Sequence, residues 1–185
     1  MSENQTDEEL MLAYRDGDAG AFDVLYRRHR ARLYRFLSHE TGSPAAGEEL
    51  YQEVWMTLIR SRERYVVSAK FSTYLYQIAH SRLVDWFRSH GKVRLEALDE
   101  DAPEPPAEAC WQPDRQLDQR QEADRLRHCL SQLPPQQREA FLLKEEGEFS
   151  LDDIAQLVGV NAETIKSRIR YAISKLRNCL GGLLA

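Results

Sequence analysis

Residues 150–177, SLDDIAQLVGVNAETIKSRIRYAISKLR, constrain this chain more than any other stretch. Leu151, Ile154, Ala155 and Val158 recur at helical spacing and predict a short helix with one apolar face. Gly159 then stands where the chain must reverse within three or four residues, a turn that favours positive φ. Asn161 is a good N-cap for a second helix, and Glu163 in its first turn suits the positive end of the helix dipole. Ile165, Ile169, Ala172, Ile173 and Leu176 would pack inward, leaving Thr164, Lys166, Ser167, Arg168, Arg170 and Tyr171 outward. Two helices joined by a tight turn, the second basic and polar on its free face, fit the major groove of duplex DNA. The same pattern would also suit a surface hairpin with a solvated basic face.

Elsewhere apolar residues recur at three and four, rarely at two, so the chain reads as all-α. Thr6 with Glu9 forms a capping box before Leu10, Met11, Leu12 and Tyr14. Ala21 to Leu37 is periodic, Thr41–Pro44 breaks it, and a third helix begins near Ala45. A fourth spans roughly Ser72 to Ser89. Residues 91–115 change character: Pro103, Pro105, Pro106 and Pro113 among many acids cannot sustain a helix or a core. Helical pattern returns over Leu117–Leu133, is cut by Pro134 and Pro135, and resumes over Arg138–Glu146. The expected architecture is therefore two small helical domains, residues 1–92 and 117–185, joined by a flexible acidic linker over 93–116. The last residues, GGLLA, are expected to fray.

A net charge of -5 argues against a nucleic-acid partner until its distribution is read. Bases dominate from Arg60 to Arg94, and Arg27, Arg28, Arg30, Arg32 and Arg35 form a second cluster. Acids dominate from Glu96 to Asp124. Local potential, not the total, governs where a polyanion docks. Residues 64–88 interleave these bases with Tyr65, Phe71, Tyr74, Tyr76, Trp86 and Phe87, the combination that holds unpaired strands by phosphate contact and stacking. The opposing reading puts the rings in a core.

Cys110, Cys129 and Cys179 are far apart, odd in number and without CxxC spacing, so reduced thiols are expected rather than a disulfide or a zinc site. No metal and no cofactor is expected. Glu48, Glu49 and Glu53 could serve a metal-dependent hydrolase, but no histidine joins them at ligand spacing and no glycine-rich phosphate loop occurs. No stretch approaches the roughly 20 apolar residues of a membrane span, and MSENQTDEEL lacks a basic-then-apolar signal, so a cytoplasmic protein without membrane insertion is expected. A stand-alone helix-turn-helix repressor or activator would use only the last third of the chain.

Three stretches together resemble bacterial RNA polymerase sigma factors of the extracytoplasmic-function group. EELYQEVWMTLIR (48–60) is similar to the family's acidic-Leu-x-Gln-Glu-Val-aromatic helix. FSTYLYQIAHSRLVDWFR (71–88) resembles its Phe-x-x-Trp-Leu-x-x-Ile-Ala-x-Asn segment, with Tyr74 for the Trp and Ser81 for the Asn. LPPQQREAFLLKEEGEFSLDDIAQLVGVNAETIKSRI (133–169) resembles its Leu-Pro opening and helix-turn-helix, with Glu163-Thr164-Ile165 where Gly-Thr-Val is common. The resemblance implies an initiation subunit, not an enzyme, that binds the clamp and flap regions of the polymerase core and reads the -10 and -35 promoter elements. Glu49, Gln52, Glu53 and Trp55 would meet the clamp, with Trp55 as an aromatic anchor. Lys70, Phe71, Thr73, Tyr74, His80, Ser81 and Arg82 would engage the start-proximal element and capture a flipped, melted-strand base. Thr164, Lys166, Ser167, Arg168, Arg170 and Tyr171 would meet the upstream duplex. The linker either threads toward the polymerase active centre or acts as an inert tether. An anti-sigma factor is a further implied partner.

Overall fold

A computed structural model describes residues 4–90 and 118–184, and among them eight α-helices and no strand. The linker expected over 93–116 lies outside the described residues, as do Cys110 and the junctions at either end. The helices are α1 (Asp7–Arg15), α2 (Ala19–Thr41), α3 (Pro44–Ser61), α4 (Phe71–Ser89), α5 (Asp118–Ser131), α6 (Pro135–Glu145), α7 (Leu151–Val158) and α8 (Ala162–Leu184).

Local chemistry sets the ends of these helices. The Thr6 hydroxyl accepts from the Glu9 amide at 3.2 Å while the Glu9 carboxylate accepts from the Thr6 amide at 2.9 Å, the reciprocal box expected before α1. Gly42 ends α2 in the left-handed region, and Ser43 caps α3 with Pro44 in its first turn. In the front domain α2 and α3 lie so close that a Cβ on Gly47 would sit 2.7 Å from the Ser38 Cα, so the crossing demands glycine there. Leu25, Leu33, Phe36 and Leu37 of α2 meet Leu50, Val54 and Leu58 of α3 and Leu75, Ala79 and Leu83 of α4, all buried. Each of these leucine, valine and phenylalanine side chains contributes about 1.5–3 kcal/mol by leaving water.

In the rear domain α6, α7 and α8 enclose Leu142, Leu143, Ile154, Leu157, Ile165, Ala172 and Leu176. Three expectations need correction. α6 starts at Pro135 rather than Arg138, because proline's fixed φ and missing N–H suit a helix's first turn. The tail GGLLA, expected to fray, is helical through Leu184 as the end of α8, with Leu180 just before it packed against the core. Finally, Cys129 of α5 and Cys179 of α8 form a disulfide, their Cα atoms 5.9 Å apart, where reduced thiols were expected. The two cysteines are 50 residues apart in sequence and meet only because α5 packs against α8, which no local spacing reveals.

The two domains touch. α2 runs against α6 and α5, and α4 meets α7. The α6–α7 turn carries Phe149 against the Tyr76 ring, centroids 5.0 Å apart.

Candidate nucleic-acid interface

The helix-turn-helix forms as its residues dictate. Ser150 and Asp153 make a second capping box at the head of α7. Gly159 closes α7 at φ 76°, a conformation that glycine adopts without a Cβ clash. The Asn161 side chain then accepts from the Thr164 amide at 2.8 Å, and α8 begins. Ile165, Ile169, Ala172 and Leu176 are buried, so the opposite face of α8 is fixed outward. Ile173, expected inside, is 37% exposed.

On that face the six expected residues fall into three pairs one turn apart: Thr164 with Arg168, Ser167 with Tyr171, and Lys166 with Arg170. Lys166, Arg170 and Tyr171 are exposed, the other three half-buried. The Arg170 guanidinium lies 5.3 Å from the Tyr171 ring centroid. Arg168 turns toward the first turn of α6, where it donates to Gln136 Oε1 at 3.0 Å. Gln136 therefore sits beside the outward face of α8, a neighbour that only the packing of α6 on α8 reveals. Ile173, Ser174 and Arg177 extend the basic-apolar surface as a shallow groove beyond Tyr171.

The start-proximal set divides by burial. Phe71 is fully buried, its ring edge against His29, and its amide donates to Glu8 at 2.6 Å. Thr73 is buried as well. These two support the surface from beneath rather than forming it. Tyr74 is half-buried, packed on Tyr65 at 5.1 Å, with its hydroxyl 2.8 Å from Ser61 Oγ. Lys70 and Ser81 are exposed and Arg82 half-buried. His80, half-buried, hydrogen-bonds Glu139 of the rear domain. That bond holds its pKa above the ordinary range, against the pull of burial. Beside this set, the loop before α4 leaves Val66 68% and Val67 53% exposed. Two adjacent valines in a polar loop with no helical period were the available signal in the sequence.

On α3, Glu49, Gln52 and Glu53 are exposed, and Gln52 donates to Glu48 at 3.1 Å. Trp55, expected as a surface anchor, is 5% exposed. Its ring is wedged between Phe22 and Tyr26, with centroids 5.8 and 5.1 Å away. Met56 is the exposed apolar residue on this face, one turn from Gln52 and Glu53. Among the described residues no cluster of histidine, cysteine and carboxylates could hold a metal, and no helix is long and apolar enough to cross a membrane.

Known proteins share this plan. Residues 25–93 match the family model for Sigma-70 region 2, and residues 123–176 match that for Sigma-70 region 4. The chain is 32% identical over 173 residues to the RNA polymerase sigma factor CarQ of Myxococcus xanthus, covering 94% of this chain and 97% of CarQ. It is 31% identical to the ECF RNA polymerase sigma factor SigK of Mycobacterium sp. strain KMS, covering 95% of this chain and 92% of the relative. The sigma factor RpoE of Bartonella quintana, solved in complex with the anti-sigma factor NepR, superposes with a TM-score of 0.67 at 23% identity, covering 86% of this chain and 96% of that one. The chain belongs to the extracytoplasmic-function group of RNA polymerase sigma factors, a family of transcription initiation factors.

Proposed function

We propose that this sigma factor divides its work between two surfaces, and that it acts in the cytoplasm as a specificity subunit rather than an enzyme. The free face of α8 reads the upstream, -35, duplex. Lys166 and Arg170 suit phosphates, and Arg168 or Arg170 suits a guanine edge at about 1–3 kcal/mol per bidentate pair. The loop and head of α4 hold the -10 element and its melted strand. Val66, Val67 and Tyr74 present apolar and aromatic surface to an unstacked base, and Lys70 and Arg82 follow the backbone. Glu49, Gln52, Glu53 and Met56 dock on the polymerase clamp, with Trp55 stiffening α3 from behind. The boundaries at residues 92 and 117 separate these two working parts.

One observation carries this reading. A helix with an exposed basic and polar face and an exposed apolar loop beside cations occur on separate domains of one chain. A repressor needs only the first of these. Control by an anti-sigma factor follows from family membership and from the complex in which RpoE was solved.

In vitro transcription with bacterial core polymerase on a randomised promoter library tests the whole reading. Enriched start sites should share two elements and depend on added protein. Arg168→Ala and Arg170→Ala should weaken selection of the upstream element. Tyr74→Ala should spare closed-complex formation and lower permanganate reactivity of thymines in the opened strand. Start sites identical with and without the protein would refute the reading.

A further inference from the structure

Residues 66–70 form an exposed loop between two buried anchors, Tyr65 and Phe71. Both anchors are held by one element, α1, which reaches them from 50 and 63 residues away in sequence. At the first anchor, Arg15 Nη1 donates to the Tyr65 carbonyl at 3.3 Å, and Asp16 braces the same guanidinium at 2.9 Å. Just before it, the Arg62 guanidinium lies 5.5 Å from the Tyr14 ring centroid. At the second anchor, the Phe71 amide donates to Glu8 Oε1 at 2.6 Å. The two ends of α1 therefore grip the two ends of the loop.

The grip at Phe71 supplies what the local sequence lacks. The first amides of a helix have no partner within it. The cap position before α4 is Lys70, whose side chain carries no oxygen and makes no capping bond. Glu8 provides the acceptor from another helix. Its carboxylate also meets the positive end of the α4 dipole, and a charge-assisted bond is stronger than a neutral one.

α1 is itself a fixed point. Leu10 and Met11 are fully buried. Asp7, beside Glu8, accepts from Arg28 at 2.7 Å and lies 2.6 Å from His29 Nε2, both on α2. The His29 ring in turn packs edge-on against Phe71, centroids 5.2 Å apart. Two consecutive acids thus tie α1 to α2 and to α4. This helix precedes residues 25–93, the stretch that matches Sigma-70 region 2.

We propose that α1 is a clasp for the strand-capturing loop, and that Glu8 and Arg15 are positioning residues that fix the loop's shape for an unstacked base of the -10 element. The inference rests on the two-surface reading above. A loop whose ends are already fixed loses less freedom when it binds. The clasp therefore acts on strand capture and not on the hold of α8 on the upstream duplex.

The test uses the full chain with core polymerase and compares the wild type with E8A, E8Q, R15A and E9A. Closed-complex affinity, permanganate reactivity of the opened strand, and base preference on the randomised library are read together. E8A should lower thymine reactivity about fivefold, the equilibrium equivalent of one lost cap, and flatten base preference at the captured position. Its closed-complex affinity and upstream preference should stay within about twofold of wild type, since those contacts lie on other elements. R15A should lower reactivity in the same way. E8Q, whose amide oxygen still accepts from the Phe71 amide, should restore most of what E8A loses. E9A breaks the box with Thr6 and loosens α1 without touching the loop, so it should open the promoter as the wild type does. Undiminished reactivity in E8A or R15A overturns the clasp. So does an E8Q or an E9A that opens as poorly as E8A. A wild type that leaves the thymines unreactive refutes the two-surface reading itself, and the clasp with it.

Discussion

Arg138 and Glu40 show what a single buried pair does when its members come from different domains. Both are nearly sealed from solvent, and the guanidinium also lies 5.7 Å from the Phe87 ring centroid. Burial pushes the Glu40 carboxyl up to about 8; Glu139 and Glu146 push the same way while Arg138 opposes. A raised carboxyl pKa means that Glu40 stabilises the fold fully below its ordinary 4.5. That contribution is lost as pH rises from there through about 8. Glu40→Gln should flatten the pH dependence of the urea midpoint across this window relative to wild type. Equal slopes would show that Glu40 is ionised throughout. Arg138→Met should destabilise by about 1–3 kcal/mol, because it strands a buried acid. Adding Glu40→Leu should recover most of that loss in the same urea titration.

At the scale of elements, what the sequence shows is what local rules control. Thr6 with Glu9, Gly159 and Asn161 announce their caps, because capping is settled within three or four residues. The outward residues of α8 were legible for the same reason: a buried stripe at helical spacing fixes the other face. Trp55 and Phe71 were misplaced because aromatic residues serve core and interface alike, and only the packing of α2, α3 and α4 decides between them. Gly47 carries no local signal either. Its need arises from Ser38 on the facing helix, so Gly47→Ala should cost about 1–3 kcal/mol by forcing α2 and α3 apart, read as a lowered thermal midpoint. The Cys129–Cys179 link is likewise a product of tertiary packing. A disulfide of this kind contributes about 2–4 kcal/mol by restricting the unfolded chain. Dithiothreitol should therefore lower the melting temperature of the oxidised protein and leave C129A/C179A unchanged. Equal shifts in both would mean that the bond is not formed in solution. In a reducing cytoplasm the thiols are the favoured state, and α5 is then held on α8 by packing alone.

For the whole molecule, the separation of charge along the chain has a second meaning. Acids from Glu96 onward suggested a spacer between basic surfaces, but the acids that meet those surfaces are Glu139, Glu146, Glu148 and Asp153. Their hold depends on protons. The hydrogen bond that His80 donates to Glu139 raises the His80 pKa, so the pair holds the two domains together fully below the ordinary 6.5 and loses that effect as pH rises through the raised value. Glu40, facing Arg138, Glu139 and Glu146 across the contact between the domains, acts in the same direction up to about 8. Ionised Glu40 adds a carboxylate to a site already holding two, while neutral His80 withdraws a cation. Mild alkalinity should therefore part the two domains before it unfolds either of them. Scattering from the full chain should give a compact particle near pH 6 and a larger radius of gyration near pH 8.5, with helical circular dichroism unchanged between them. Glu40→Gln with His80→Gln should remove most of that difference, since neither replacement titrates. If the wild-type radius is the same at both values, protonation of His80 and Glu40 does not govern how the two domains meet.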